Sequence, residues 1–139
     1  MVLWDCTKKE AVATISITSP IVRIRLSKLY IAVVFEHGVN LYRHQPRLEK
    51  LATYETTSNA LGLCCLGVWG LAFPGRTPGQ IQLVNLNTLK VDIIPAHTSP
   101  LRALALSPDG EVVATASDHV SASIDSLILH VLNSTYREL

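Results

Sequence analysis

Residues 71–86 read LAFPGRTPGQIQLVNL. An apolar opening runs into Pro74-Gly75-Arg76-Thr77-Pro78-Gly79, and a second apolar run, Ile81 to Leu86, follows. Proline fixes its own φ and glycine accepts positive φ, so the hexapeptide reads as a rigid hairpin corner. Neither flank carries a helical stripe. A chain built this way folds as strand, turn and strand.

Working outward, the same grammar repeats. VATISI (12–17), IVRIRL (21–26), YIAVVF (30–35), VNLY (39–42), IQLVNL (81–86), LRALAL (101–106), EVVATAS (111–117) and LILHVL (127–132) are short runs rich in β-branched residues. Several alternate polar with apolar, the period of a half-buried strand. In IVRIRL, Val22, Ile24 and Leu26 are expected to face the core and Arg23 and Arg25 the solvent. Ser19-Pro20, His37-Gly38, Pro74-Gly75, Pro78-Gly79 and Ser107-Pro108-Asp109-Gly110 punctuate the runs as turns. The fold class is all-β.

A longer period lies over this one. VLWDCTKKE (2–10), VNLYRHQPRLEK (39–50), IQLVNLNTLK (81–90) and LILHVLNSTYREL (127–139) each join an apolar strand to a small polar turn and then a charged residue. Leu3, Leu41, Leu83 and Leu129 align at steps of 38, 42 and 46 residues. A four-stranded propeller blade takes about 40–45 residues, and Trp4-Asp5 is the dipeptide of WD repeats. The chain therefore reads as a partial WD40-like β-propeller of about three four-stranded blades. The expected divisions are the end of one blade at 1–17, blades at 18–57 and 58–95, and an incomplete blade at 96–139. Closed propellers have about 4–8 blades, so an arc of this size leaves sheet faces that need neighbours.

The totals narrow the function classes. The chain has 139 residues, 48% of them apolar, and a formal net charge of +1. That is enough apolar surface for a core. It is not the basic footprint of a nucleic-acid binder. Cys6, Cys64 and Cys65 make a poor disulfide framework and no C-x-x-C occurs, so neither disulfides nor a structural metal are expected. The start, MVLWDCTKKE, lacks the pattern of a signal peptide. The longest apolar segment, 60–73, is shorter than a membrane helix and is expected to be buried core. No nucleophile elbow, P-loop, metal spacing or paired carboxylates are present, so no enzymatic activity and no cofactor are expected.

Two elements narrow the reading further. FPGR-x-x-G-Q-x-Q-L-V (73–84) and PAH-x-S-P-L (95–101) together resemble the PROPPIN family, WD-type propellers of seven blades that bind phosphoinositides in autophagy. VLWDCTKKEAVATISITSPIVRIRLSKLYIAVVFEHGVNLY, upstream, is similar to the same family, so the likeness runs over about 2–117. It implies a cytoplasmic adaptor, peripheral at pre-autophagosomal, vacuolar or endosomal membranes. Phosphatidylinositol 3-phosphate or 3,5-bisphosphate would be the ligand. Partners would be phosphoinositide-containing membranes and autophagy proteins such as the family's lipid-transfer partner, and no nucleic acid.

By the same resemblance, His97, Thr115 and Ser117 are phosphoinositide-binding residues. Hydroxyls and an imidazole N–H can donate to phosphate oxygens. The alternative for His97 is a hydrogen bond inside its own blade. The family's lipid motif also carries an Arg-Arg pair, and no such pair occurs in this sequence. The departure begins at Asp118, where HVSASID (119–125) reads as a short insertion or a mis-spliced segment. His130 stands where the family favours arginine, and Arg137 is a poor substitute for a pair. The chain is thus expected to be a fragment with weakened lipid binding. The competing function is a lipid-independent protein-interaction scaffold of WD-repeat type.

Overall fold

A computed structural model describes residues 1–117 and the backbone of 126–131 and 137–138. All of its regular elements are strands, fourteen in four antiparallel sheets. The first sheet pairs β1 (Val2–Asp5) with β2 (Glu10–Thr14). The second runs β3 (Arg23–Leu26), β4 (Tyr30–Phe35), β5 (Gly38–Arg43) and β6 (Glu49–Glu55). The third runs β7 (Cys65–Leu66), β8 (Gly70–Pro74), β9 (Gln80–Asn85) and β10 (Val91–Pro95). The fourth runs β11 (Leu101–Leu106), β12 (Val112–Ser117), β13 (Ser126–Val131) and β14 (Arg137–Glu138). Every strand pairs with its sequence neighbour, which is the meander of a propeller blade. The segment at 119–125 lies outside the described residues.

The long period has a direct cause. Leu3, Leu41 and Leu83 sit on β1, β5 and β9, and position 129 on β13. These are the strands that precede the last strand of each sheet. The turn after that strand recurs too. Asp5 Oδ1 accepts the N–H groups of Thr7 and Lys8, and Asn85 Oδ1 those of Asn87 and Thr88. Such Asx turns close a hairpin with one short polar side chain. In both, the residue four places on takes positive φ, 55° at Lys9 and 60° at Leu89.

The cores lie between sheets, not within them. Ile31, Val33 and Tyr42 face Met1, Leu3, Ile15 and Ile17 of the first sheet and the segment after it. The opposite side of the second sheet, with Ala32, Val34, Val39 and Leu41, meets Leu71, Phe73, Val84 and Leu86 of the third. Tyr54 and Phe73 pack with ring centroids 5.1 Å apart across that boundary. The third sheet meets the fourth through Ile81, Leu83, Leu101 and Val113. YIAVVF is buried on both sides for this reason, and reads as a continuous apolar run instead of an alternating one.

Three expectations change. Val22, Ile24 and Leu26 share a side, but that side is exposed: Ile24 is 45% and Leu26 64% accessible. The two-stranded first sheet packs on β4 and β5 and does not cover β3. Arg25 points the other way and is not solvated as expected; its Nε donates to the Cys64 carbonyl at 3.0 Å. Second, 60–73 is not one buried segment. It is β7 and β8 joined by a turn, and Val68 and Trp69 at that turn are 64% and 58% exposed. Third, VATISI forms a strand only to Thr14, and β6, β7 and β10 carry no clean alternation that would have announced them.

Candidate functional site

The hairpin corner at 74–79 is where three sheets are tied together. Gly75 N–H donates to Gln80 O at 2.7 Å and closes the turn. Toward the second sheet, the Thr57 N–H donates to Gly75 O at 2.8 Å. The buried Gln82 amide reinforces that link, donating to Glu55 O at 2.9 Å and Pro74 O at 3.3 Å. Arg76 and Glu55 lie 3.8 Å apart, both well exposed. An ion pair of that kind adds little.

Toward the fourth sheet, the His97 N–H donates to Gly79 O at 3.0 Å. Gly79 has φ +86°, and a Cβ there would sit 2.1 Å from the His97 carbonyl oxygen. Only glycine fits. The corner thus sets the backbone of His97, which lies in the connection between β10 and β11.

His97 in turn reaches the fourth sheet with its ring. Nε2 lies 2.9 Å from Thr115 Oγ1, and the ring tautomer decides which of the two donates. Val113, Thr115 and Ser117 alternate on the side of β12 that is buried against the third sheet. Thr115 is 1% and Ser117 2% exposed, whereas His97 is half-buried. The three residues that the sequence singled out therefore sit in one neighbourhood. Two of them are in direct contact, and Ser117 follows Thr115 on the same buried side. His97 is the member that solvent reaches.

Other polar groups have structural work. Asn59, buried, closes its own loop by accepting the Leu63 N–H and donating to Leu63 O. Burial pushes the Cys64 thiol up to about 12. Burial also raises Cys65, whose Sγ donates to Leu104 O at 3.3 Å. Neither is a ready thiolate nucleophile. Arg43 stacks over the Tyr30 ring, 5.8 Å from its centroid. Arg102 is exposed on β11. Gly79 and Gln82 escaped the sequence reading as contributors to this neighbourhood. The only signal was the density of glycine and proline around them.

No family model matches the chain. SVP1-like protein 2 of Emericella nidulans is 52% identical over 118 residues, 85% of this chain and 37% of that protein. The chain belongs to the PROPPIN family. Another relative is the chicken protein named WD repeat domain phosphoinositide-interacting protein 2. It is 34% identical over 119 residues, 80% of this chain and 27% of that protein. Its name describes an interaction and not a reaction. A Dictyostelium discoideum relative is named autophagy-related protein 18. Kluyveromyces lactis Hsv2 superposes with a TM-score of 0.79 at 19% identity, covering 97% of this chain and 42% of that one. That likeness carries the propeller fold. The chain spans between 27% and 37% of the length of these three sequence relatives.

Proposed function

We propose that this chain forms part of a phosphoinositide-binding WD-repeat adaptor of autophagy, with His97 at a headgroup site. The observation that carries the reading is the His97–Thr115 pair, anchored by Gly79, in a chain whose relatives include one named for phosphoinositide interaction. Half-buried His97 offers a ring to a phosphate oxygen. Thr115 and Ser117 are buried behind it. Thr115 orients the imidazole, and a phosphate that reached either hydroxyl would first move the ring. The ligand is phosphatidylinositol 3-phosphate or 3,5-bisphosphate, at pre-autophagosomal, vacuolar or endosomal membranes. The partner there is a lipid-transfer protein of autophagy.

The test is a chimera in which residues of this chain replace the matched 118 residues of the Emericella nidulans relative. It is expected to float with vesicles containing phosphatidylinositol 3-phosphate. His97→Ala should weaken that by about tenfold or more, the worth of one charge-assisted hydrogen bond. A folded chimera that ignores the 3-phosphate, or an alanine variant that binds unchanged, refutes the assignment. Partners captured equally with and without phosphoinositide would favour a lipid-independent scaffold.

A further inference from the structure

Four of the seven prolines follow a serine or threonine: Ser19-Pro20, Thr77-Pro78, Ser99-Pro100 and Ser107-Pro108. The fold treats the four hydroxyls differently. Ser107 donates to Asp109 and accepts the Val112 N–H at 2.9 Å, so its hydroxyl closes a turn. Ser99 is half-buried, and its carbonyl lies against Gly79. Ser19 and Thr77 are exposed. Ser19 has no charged side chain within three residues on either side, whereas Arg76 directly precedes Thr77.

Thr77 stands at the tip of the hairpin corner. Its carbonyl accepts the Gln80 N–H at 3.1 Å, with Pro78 and Gly79 as the central residues and Gly79 at φ +86°. That is the residue pattern of a type II turn. Arg76, Thr77 and Pro78 are exposed, while Pro74, Gly75 and Gly79 on either side are buried. The Thr77 hydroxyl makes no hydrogen bond among the described residues. A residue before proline keeps an extended backbone, the form in which a protein kinase takes its substrate. The residue after the acceptor here has no N–H to offer, and proline-directed kinases are built to do without one.

We infer that Thr77 is a phosphorylation site of a proline-directed protein kinase, and that its phosphate opposes a lipid headgroup at His97; the second half rests on the headgroup reading proposed for that histidine. The γ-phosphoryl of ATP passes to Thr77 Oγ1. The Oγ1–P bond forms, the bond to ADP breaks, and the hydroxyl proton leaves to a carboxylate of the kinase. The product carries about two negative charges at neutral pH. Arg76, the cation of the corner, can turn toward it, since Glu55 is 3.8 Å away and both side chains are well exposed. The backbone fixes the phosphate near the histidine. The Cα atoms of Thr77 and Gly79 are at most about 7 Å apart, and Gly79 O holds the His97 N–H at 3.0 Å. Within about two Debye lengths, a phosphothreonine and a lipid phosphate repel.

The experiment incubates the full chain with ATP and a purified proline-directed kinase of the mitogen-activated class, and locates the phosphate by mass spectrometry. Thr77 is expected to be the main acceptor. Thr77→Ala should lower incorporation about tenfold at an unchanged urea midpoint, and Ser19→Ala should leave it unchanged. A peptide of residues 71–86 separates recognition from access. It should be phosphorylated too, and Pro78→Ala in the peptide, where folding plays no part, should abolish that. A peptide that is phosphorylated beside an inert folded chain means the corner is closed to the kinase, and overturns the inference. So does phosphate that lands on Ser19, Ser99 or Ser107 instead. In the second arm, the chimera with the Emericella nidulans relative is phosphorylated and floated with vesicles containing phosphatidylinositol 3-phosphate, with its Thr77→Ala form as the control for other acceptors. Phosphorylation should weaken binding about threefold or more, and less so as salt rises. Equal binding of the two forms overturns the coupling to His97. An unphosphorylated chimera that ignores the lipid defeats the headgroup reading instead, and the position of the phosphate still decides Thr77.

Discussion

Gly79→Ala separates backbone strain from close contact because Gly110 supplies a matched control. Both glycines take positive φ, +86° and +74°. An alanine at either position meets the left-handed penalty, about 1 kcal/mol. Beyond that they differ. A Cβ at Gly110 comes no nearer than 4.0 Å to Trp69 Cβ, whereas at Gly79 it would lie 2.1 Å from the His97 carbonyl oxygen. That contact cannot persist, so the 96–99 connection must move away. The His97 N–H bond to Gly79 O is then lost, at about 1 kcal/mol, and the ring's hold on Thr115 weakens by a similar amount. Gly79→Ala should therefore cost about 3 kcal/mol and Gly110→Ala about 1. The assay is urea unfolding followed by tryptophan fluorescence. With a slope of about 2 kcal/mol/M, the Gly79 variant's midpoint should fall about 1 M further than the control's. The His97 ring resonances should shift in the first variant and stay put in the second. Equal midpoints, or a Gly79 variant with undisturbed His97 resonances, would refute the idea that this glycine sets the histidine.

Gln82→Leu keeps the volume but strands Glu55 O and Pro74 O, and should lower stability by about 2 kcal/mol in the same assay. Tyr30→Phe removes only the hydroxyl bonded to Leu86 O, and about 1 kcal/mol is expected. In thiol titration at pH 8, exposed Cys6 should react first, and Cys64, held near 12 by burial, only on unfolding; prompt reaction of all three would contradict the packing of β7. The Ser107 hydroxyl and the Glu111 N–H hold the Asp109 carboxyl below its ordinary value. Its contribution is therefore present above the unfolded value and lost as pH falls through the folded one, and Ser107→Ala should move its NMR titration midpoint back up.

Strand content was legible where chemistry repeats. YIAVVF and LRALAL stand as β4 and β11 over the same residues the pattern marked. The near-40 period was legible because one Asx turn recurs in the first and third sheets, with Asp5 and Asn85 in the same role. β6 and β10 were not, since EKLATYE and VDIIP mix charge, small residues and proline without a clean alternation. The neighbourhood of His97 was legible by resemblance only. No spacing rule reveals that Gly79, eighteen residues before His97, accepts a hydrogen bond from its backbone N–H. Long-range stitches depend on how sheets stack, and stacking leaves no local signature.

Arg25 shows the same limit from the other side. Alternation placed Val22, Ile24 and Leu26 together and Arg23 and Arg25 opposite, and that geometry holds. Alternation does not say which side faces a neighbour. In an isolated sheet the apolar side is the buried one, because one face packs and one is wet. In a propeller both faces of every sheet meet another sheet, so a cation on an inner strand must find an acceptor within the stack. Arg25 finds the Cys64 carbonyl, the residue just before β7. Long side chains of this kind cover apolar surface with their stems while the head bonds. Arg25→Met should therefore cost less than Arg25→Ala by about 1 kcal/mol, since methionine keeps the stem. Urea midpoints of the two variants decide the matter. If methionine and alanine are equally damaging, the hydrogen bond to Cys64 O, not the stem, carries Arg25's contribution.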